Sequence, residues 1–111
     1  MFKRFFLFIL LTGLYASTSD AATPPASYDV GIIKLLYVDT AGNLAFTLDK
    51  GFPNATSSKQ CTAPNGFAGI VSPNSTIKDA LLTAKAMGNT VTIVTQGCYG
   101  DWFNVVSAYL N

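Results

Sequence analysis

The sequence lacks histidine and glutamate altogether, and its single arginine is Arg4. These absences exclude a Ser-His-Asp triad, a Cys-His pair, a glutamate-based glycosidase and most zinc sites, because each needs one of the missing side chains. Beyond residue 21, the remaining carboxylates are Asp29, Asp39, Asp49, Asp79 and Asp101. Aspartate is also an ordinary turn residue. We therefore expect a protein that is not an enzyme, with no catalytic residue, no metal site and no cofactor.

The first 21 residues have the features of a secretory signal peptide. Lys3 and Arg4 precede an apolar run over residues 5–15, and a small-x-small motif ends at Ala21. A membrane anchor is the alternative, but the run is shorter than the about 20 apolar residues that a spanning helix needs. We expect a signal peptide over residues 1–21, a single domain over residues 22–111, and a secreted or periplasmic location without membrane attachment.

Charged side chains are scarce in the predicted mature part of the chain. Residues 22–111 contain five lysines and five aspartates, so this part has no net charge. Binding to nucleic acid depends on neutralising phosphates with basic side chains, and attraction to an anionic membrane surface needs a similar excess of positive charge. We therefore expect neither nucleic acid nor a membrane among the partners.

The chain has only two cysteines, Cys61 and Cys98. An even pair in a small exported domain is most simply a disulfide. A redox pair or a metal site is the alternative, but there is no CxxC spacing and no histidine to complete such a site. We predict a Cys61–Cys98 disulfide that reinforces a domain too small to be very stable on its own.

Periodicity predicts five strands and one helix. The helix covers the region from Ser75 to Gly88, with Thr76 and Asp79 as a capping box and Gly88 as its C-terminal stop. The predicted strands are 29–38, 44–49, 67–71, 90–95 and 102–110. Residues 50–66 are predicted to be irregular and residues 96–101 to form a turn.

The resulting order is β-β-β-α-β-β. This is a mostly β, α+β class of domain, and it is the element order of the OB-fold, a five-stranded Greek-key barrel that binds oligosaccharides or oligonucleotides. In the first strand, simple alternation predicts that Ile33, Leu35 and Tyr37 share one face, while Ile32 and Leu36 lie on the other. Both faces are apolar, so we expect this strand to be covered on both sides.

A cluster of aromatic and acidic residues follows Cys98. In an OB-fold, Tyr99, Asp101 and Trp102 would lie at the loop between strands four and five, where the rings can stack on a sugar and the carboxylate can accept its hydroxyls. Alternatively, Trp102 packs inward at the start of the last strand, Tyr99 covers the disulfide and Asp101 caps a turn. The inward position is favoured for Trp102, and both alternatives stay open for Tyr99 and Asp101.

Three segments resemble the binding subunits of bacterial AB5 toxins of the subtilase cytotoxin and pertussis type. They are the first hairpin, IIKLLYVDTAGNLAFTLD, the cysteine-bearing segment before the third strand, and the helix-to-strand passage STIKDALLTAKAMGNTVTIVT. The resemblance implies an OB-fold, a ring-shaped pentamer, a sialylated or related glycan as ligand, and a separate catalytic subunit. In that family a serine at the start of the first strand holds the acidic group of the sugar; Tyr28 falls on that position here, and Ser27 is one residue away.

Two functions from different classes follow from these observations. The first is a secreted or periplasmic binding module that recognises a glycan or glycoprotein, with Ser27, Tyr28, Tyr99, Asp101 and Trp102 as candidate binding residues. The alternative is a small exported structural subunit of the cell envelope that contacts another protein and binds no sugar. The apolar character of both faces of the first strand favours this alternative.

Overall fold

A computed structural model of the chain describes residues 24–111, and the predicted signal peptide lies outside this part. The elements are β1 (Ser27–Val38), β2 (Leu44–Leu48), α1 (Pro53–Ser57), β3 (Ala68–Ile70), α2 (Ser75–Met87), β4 (Thr90–Tyr99) and β5 (Trp102–Leu110). The prediction of a mostly β domain with five strands is confirmed. The prediction of a single helix is wrong, because α1 lies within the region predicted to be irregular. No helix within residues 24–111 has the length and apolar character needed to cross a membrane.

The five strands form one mixed sheet that closes on itself in the order β1-β2-β3-β5-β4. β1 pairs antiparallel with both β2 and β4, and β2 pairs antiparallel with β3. β4 and β5 form an antiparallel hairpin. The ring is completed by a parallel contact between β3 and β5, in which Ala68 lies beside Phe103. Each strand therefore has a neighbour on both sides.

β1 changes the direction of its side chains halfway along its length. Ile33 is buried, but the register with β2 shifts between Ile33 and Leu35, as at a β-bulge. An inserted residue reverses the alternation, so that Leu36 packs against the core while Leu35 and Tyr37 are exposed. The prediction that Ile33, Leu35 and Tyr37 share one face is therefore wrong. The bulge places Tyr37 on the outer surface of the ring.

The core inside the ring is built around aromatic side chains. Phe52 packs between Phe46 and Phe103, with ring centroids 6.1 and 5.8 Å away. Leu81 and Ala84 of α2 are fully buried against the same cluster. Phe52 immediately precedes α1, so the residues around α1 contribute to the core as well as α2 does.

α1 owes its position to a carboxylate that is distant in sequence. Pro53 occupies the first turn, where its missing N–H costs nothing. The buried carboxylate of Asp29 accepts hydrogen bonds from the N–H groups of Asn54 (2.8 Å) and Ala55 (3.0 Å). The Asn54 side chain in turn donates to the carbonyl of Tyr28 at 2.7 Å. β1 therefore supplies the cap that holds this short helix.

The N-cap of α2 lies two residues before the predicted one. It is Asn74, whose Oδ1 accepts from the N–H of Ile77 at 3.0 Å. The predicted capping box at Thr76 is wrong because Thr76 already lies inside the helix. The C-terminal stop is confirmed: Gly88 has a left-handed backbone conformation with φ of 69°, which glycine adopts without penalty.

β4 extends through the segment predicted to be a turn. Its pairing with β5 resumes after a bulge, with Cys98 opposite Phe103 and Tyr99 opposite Trp102. The prediction of a turn over residues 96–101 is therefore wrong, and only Gly100 and Asp101 separate the two strands. Pairing with β5 overrides the local turn preference of the glycines. The predicted Cys61–Cys98 disulfide is confirmed, and it ties the segment after α1 to this hairpin.

Candidate functional site

Trp102 lies on the outer surface of the ring. It begins β5, as predicted, but the neighbouring Phe103 occupies the core and is 1% exposed. Successive residues of a strand point to opposite faces, so Trp102 points away from the core. The prediction that Trp102 packs inward is therefore wrong. The indole is partly buried because it lies down on the sheet rather than projecting into solvent.

The sheet makes room for the indole at Gly69 of β3. A Cβ atom on Gly69 would lie 2.5 Å from Cε3 of Trp102 and 2.7 Å from the carbonyl oxygen of Leu44. Gly69 is paired with Ala45 of β2, another small residue. The absence of larger side chains at these two positions allows the six-membered edge of the indole to rest directly on the backbone of β3.

Two tyrosines flank Trp102. Tyr37 of β1 meets it edge-on, with ring centroids 5.9 Å apart and planes inclined by 67°. Tyr99 of β4 is 6.3 Å away at 50°. Both tyrosines are about half exposed. Their rings are therefore available to a ligand while they support the indole.

Tyr37, Asn65, Phe67 and Trp102 line a shallow cavity of about 330 Å³, which we call the aromatic groove. Tyr99 stands beside it through its contact with Trp102. The volume is at the small end of the range for ligand pockets, which is about 300–1,000 Å³. A groove of this size can take a small molecule.

Polar atoms at the groove have defined orientations. The Oδ1 of Asn65 accepts from the N–H of Phe67 at 3.1 Å, which turns its amide nitrogen away from that bond. The hydroxyl of Tyr37 donates to Oδ2 of Asp39 at 3.4 Å. The carbonyl of Asp101 accepts from the backbone N–H of Asn65 at 3.1 Å, which joins the turn after β4 to the groove.

Asp39 is held in its charged form by the turn between β1 and β2. The backbone N–H of Asn43 donates to it and lowers its pKa below the ordinary value, with smaller contributions from the Asn43 side chain, the N–H of Ala41 and the hydroxyl of Tyr37. Hydrogen bonds to a carboxylate favour its ionised form. Asp39 therefore places a negative charge next to the hydroxyl of Tyr37.

Ser27 lies in a different, buried polar cluster. It is 6% exposed, and its hydroxyl contacts that of Ser58 and accepts from Nε2 of Gln60 at 2.9 Å. Gln60 also donates to the carbonyl of Pro25 at 2.6 Å and accepts from the N–H of Gly97 at 2.7 Å. This cluster joins the start of β1 to the segment after α1 and to β4. The hydroxyl of Ser27 is therefore engaged within the fold.

Tyr28 is exposed on the outer face of β1, opposite Val94 of β4. The aromatic contacts of the described residues link Tyr37, Tyr99 and Trp102, and Tyr28 is not among them. Of the five predicted binding residues, the structure thus brings Tyr99, Asp101 and Trp102 together. It places Ser27 and Tyr28 outside the aromatic groove.

Sequence reasoning missed Tyr37, Asn65 and Phe67 as residues of the groove. Tyr37 was assigned by simple alternation, which does not reveal the bulge before it. Asn65 and Phe67 flank the glycine that precedes β3, a position that reads locally as a turn. The small residues Ala45 and Gly69 were the available signal, because two small side chains on neighbouring strands leave space for a large ring.

A second depression lies beside the disulfide. It has a volume of about 450 Å³ and is lined by Thr56, Lys59, Cys61, Thr62 and Pro64. Its lining contains no aromatic ring on which a sugar could stack. Elsewhere too, residues 24–111 bring no three His, Cys, Asp or Glu side chains together in a group that could hold a metal ion. The aromatic groove is therefore the best candidate site.

We expect Gly69→Ala to displace Trp102. The added methyl would overlap both the indole and the Leu44 carbonyl, so the ring must lift from the sheet. The free energy of unfolding should fall by about 1–3 kcal/mol, as for other overpacking substitutions. Trp102 is the only tryptophan, so its emission should shift to longer wavelength. Thermal unfolding followed by fluorescence measures both effects.

Ser107→Ala is the matched control, because Ser107 is exposed on β5 and its substitution should change stability by less than about 0.5 kcal/mol. An unchanged emission maximum in Gly69→Ala would contradict the described seat of the indole.

Comparison with known proteins gives no assignment. No protein-family model, no curated protein and no solved structure matches this chain. The resemblance to toxin-binding subunits therefore stays a prediction, and the function rests on the groove itself.

Proposed function

We propose that the chain is an exported, non-enzymatic module that binds a glycan in the aromatic groove. Trp102 carries this proposal: it lies on the outer surface, flanked by Tyr37 and Tyr99, rather than in the core. A large aromatic side chain buries more apolar area inside a protein than on its surface. On the outer face, Trp102 is only partly buried and stands between two half-exposed tyrosines, which leaves aromatic surface that a ligand can cover.

The chemistry of the groove suits a sugar ring. One face of a pyranose presents C–H groups, which pack on an indole, while its hydroxyls extend from the edge. The amide of Asn65, which lines the groove, can donate to such hydroxyls. Asp101, the exposed residue directly before Trp102, supplies a carboxylate that can accept from them. A mostly apolar lining with a few oriented polar groups is the usual composition of a small-molecule site.

The proposal includes an OB-type fold. Support comes from the ring order β1-β2-β3-β5-β4 and from the position of α2 between β3 and β4. OB-folds bind ligands on a strand face and through the loops between strands one and two and between strands four and five. Tyr37 and Asp39 adjoin the first of these loops, and Asp101 lies in the second.

Trp102 provides a direct test because it is the only tryptophan. We expect titration of residues 22–111, with the disulfide intact, to change the emission of Trp102 for a subset of glycans found on an array. Stacking on an aromatic ring is worth about 1–3 kcal/mol, so Trp102→Ala should weaken binding by roughly ten- to hundredfold. Because this variant has no tryptophan, its affinity is measured by isothermal titration calorimetry. Trp102→Phe should lose less affinity.

Tyr109→Ala is the control for this substitution, because Tyr109 is an exposed aromatic of the same strand outside the groove lining. Its affinity should match that of the unmodified protein. An equal loss of glycan affinity in the Trp102 and Tyr109 variants would contradict the proposal. Absence of binding to any glycan would contradict it as well.

An exported protein-interaction subunit is the second candidate. Tyr28, Val30 and Tyr109 are each at least half exposed on β1 and β5, the two strands that flank β4. Clustered apolar side chains on a surface favour contact with another protein. A stoichiometric complex that survives excess free sugar and is lost in Tyr109→Ala would favour this candidate.

The pentamer and the separate catalytic subunit implied by the resemblance belong to the first candidate. Light scattering after size-exclusion chromatography tests the assembly, since a fivefold mass supports the toxin-type ring and a monomer opposes it. Export agrees with the disulfide, which is compatible with an oxidising compartment.

A further inference from the structure

Resting on the proposed function, we infer that the aromatic groove selects uncharged sugars and disfavours acidic ones, including sialylated glycans. The residues that line the groove carry no charge themselves. Two acidic residues adjoin the lining: the carboxylate of Asp39 accepts from the hydroxyl of Tyr37, and the exposed Asp101 directly precedes Trp102 in the chain. The charge around the groove is therefore negative.

The basic residues of the described part lie elsewhere. Lys78 and Lys85 belong to α2, and Lys59 lines the separate depression beside the disulfide. Lys50 follows β2. Lys34 is on β1, three residues before Tyr37, which is roughly 10 Å along a strand. Both aspartates are nearer to the lining residues along the chain than Lys34 is, since Asp39 is hydrogen-bonded to Tyr37 and Asp101 directly precedes Trp102.

The hydrogen-bonding atoms point to the same selectivity. Because the hydroxyl of Tyr37 donates to Asp39, its oxygen can only accept from a ligand. The carboxylates of Asp39 and Asp101 can also only accept. The donors of the lining side chains are the amide of Asn65, whose oxygen is occupied by the N–H of Phe67, and the indole N–H of Trp102. A hydroxyl, which both donates and accepts, can use the donors and the acceptors of this set, whereas the carboxylate of an acidic sugar can use only the donors.

The expected effect is moderate because the groove is open to water. Two negative charges within about 10 Å of a bound carboxylate should lower its affinity by roughly three- to tenfold at low salt. Screening should reduce this difference at high salt. An affinity for the acidic sugar that rises with salt, while that for the neutral sugar stays constant, is therefore the signature of the inferred repulsion.

The test uses three pairs. Methyl glucoside and methyl glucuronide, like methyl galactoside and methyl galacturonide, differ by an acidic group, and lactose and sialyllactose differ by an added acidic sugar. The emission of Trp102 reports binding at low and at high salt. For every pair in which a member binds, the neutral member should bind at least roughly threefold tighter at low salt. The difference should narrow at high salt.

Asp101→Asn should reduce the difference in affinity between the neutral and the acidic member of a pair, since it removes a charge while keeping the shape of the side chain. Asp79→Asn is the matched control, because Asp79 is exposed on α2 and outside the groove lining. It should leave the selectivity unchanged.

The failures are distinguishable. Tighter or equal binding of the acidic members would overturn this inference while leaving a glycan-binding function in place. Absence of binding by both members of every pair would contradict the proposed function and the inference with it.

Discussion

Removal of the Cys61–Cys98 disulfide is expected to lower the free energy of unfolding by about 4 kcal/mol. The two cysteines are 37 positions apart. A bridge across a loop of this length restricts the unfolded chain by about that amount in the chain-entropy model. A domain of this size has a stability on the order of 5–13 kcal/mol, so the loss is a large fraction of the total.

Thermal unfolding of Cys61→Ala/Cys98→Ala measures this loss. At about 4–8 °C for each kcal/mol, the midpoint should fall by roughly 15–30 °C. The unmodified protein in excess reductant is the control for the small cavity that alanine leaves at the buried Cys61, and it should show a comparable decrease. A midpoint that changes by only a few degrees in both samples would contradict the prediction.

The same change should loosen the aromatic groove. Cys98 directly precedes Tyr99, and Sγ of Cys61 lies 3.1 Å from the carbonyl oxygen of Trp102. Without the disulfide, the hairpin that carries the side chains of Tyr99 and Trp102 loses its covalent link to the segment containing Asn65. The emission of Trp102 should therefore shift before the domain unfolds.

Asp29→Ala is expected to destabilise the domain by about 3 kcal/mol. The carboxylate is 2% exposed and accepts two hydrogen bonds from backbone N–H groups at the start of α1. Hydrogen bonds to a charged group contribute about 1.5–3 kcal/mol each, and the buried N–H groups left without a partner add a cost of their own. The loss should release α1 and, with it, the adjacent Phe52 from the core.

Chemical denaturation followed by circular dichroism gives this value directly. Asp29→Asn is an informative companion, because it keeps one acceptor but turns an amide donor toward the other N–H, so an intermediate loss is expected. Asp79→Ala, an exposed aspartate of α2, should change stability by less than about 0.5 kcal/mol. A loss below 1 kcal/mol in Asp29→Ala would show that α1 does not depend on this cap.

Features determined by neighbouring residues were predictable from the sequence. The β-branched run before Cys98 predicted β4, the apolar spacing around Leu81 predicted α2, and Gly88 predicted where it ends. Each signal is local, because strand and helix preferences act over a few residues. The disulfide was equally predictable, since two cysteines allow only one connectivity.

Features that depend on distant partners were not predictable. α1 has a composition typical of a loop, and its cap comes from Asp29 in β1. The bulge in β1 follows from its pairing with β2, and it decides that Tyr37 faces outward. The groove combines Tyr37, Trp102 and the segment around Asn65, which meet only when the ring has formed. The sequence predicted the aromatic and acidic residues after Cys98 as candidates, but it did not predict the other residues that line the groove.

Closure of the ring has a consequence for when the chain can fold. β1 pairs with β4, and β3 pairs with β5, so the ring is joined by contacts between segments that are far apart in sequence. Contacts of this kind form slowly, because the entropy of closing the intervening loops is lost before the contacts stabilise the structure. A chain that leaves a ribosome or passes through a pore therefore cannot close the ring until residues 102–110 are free.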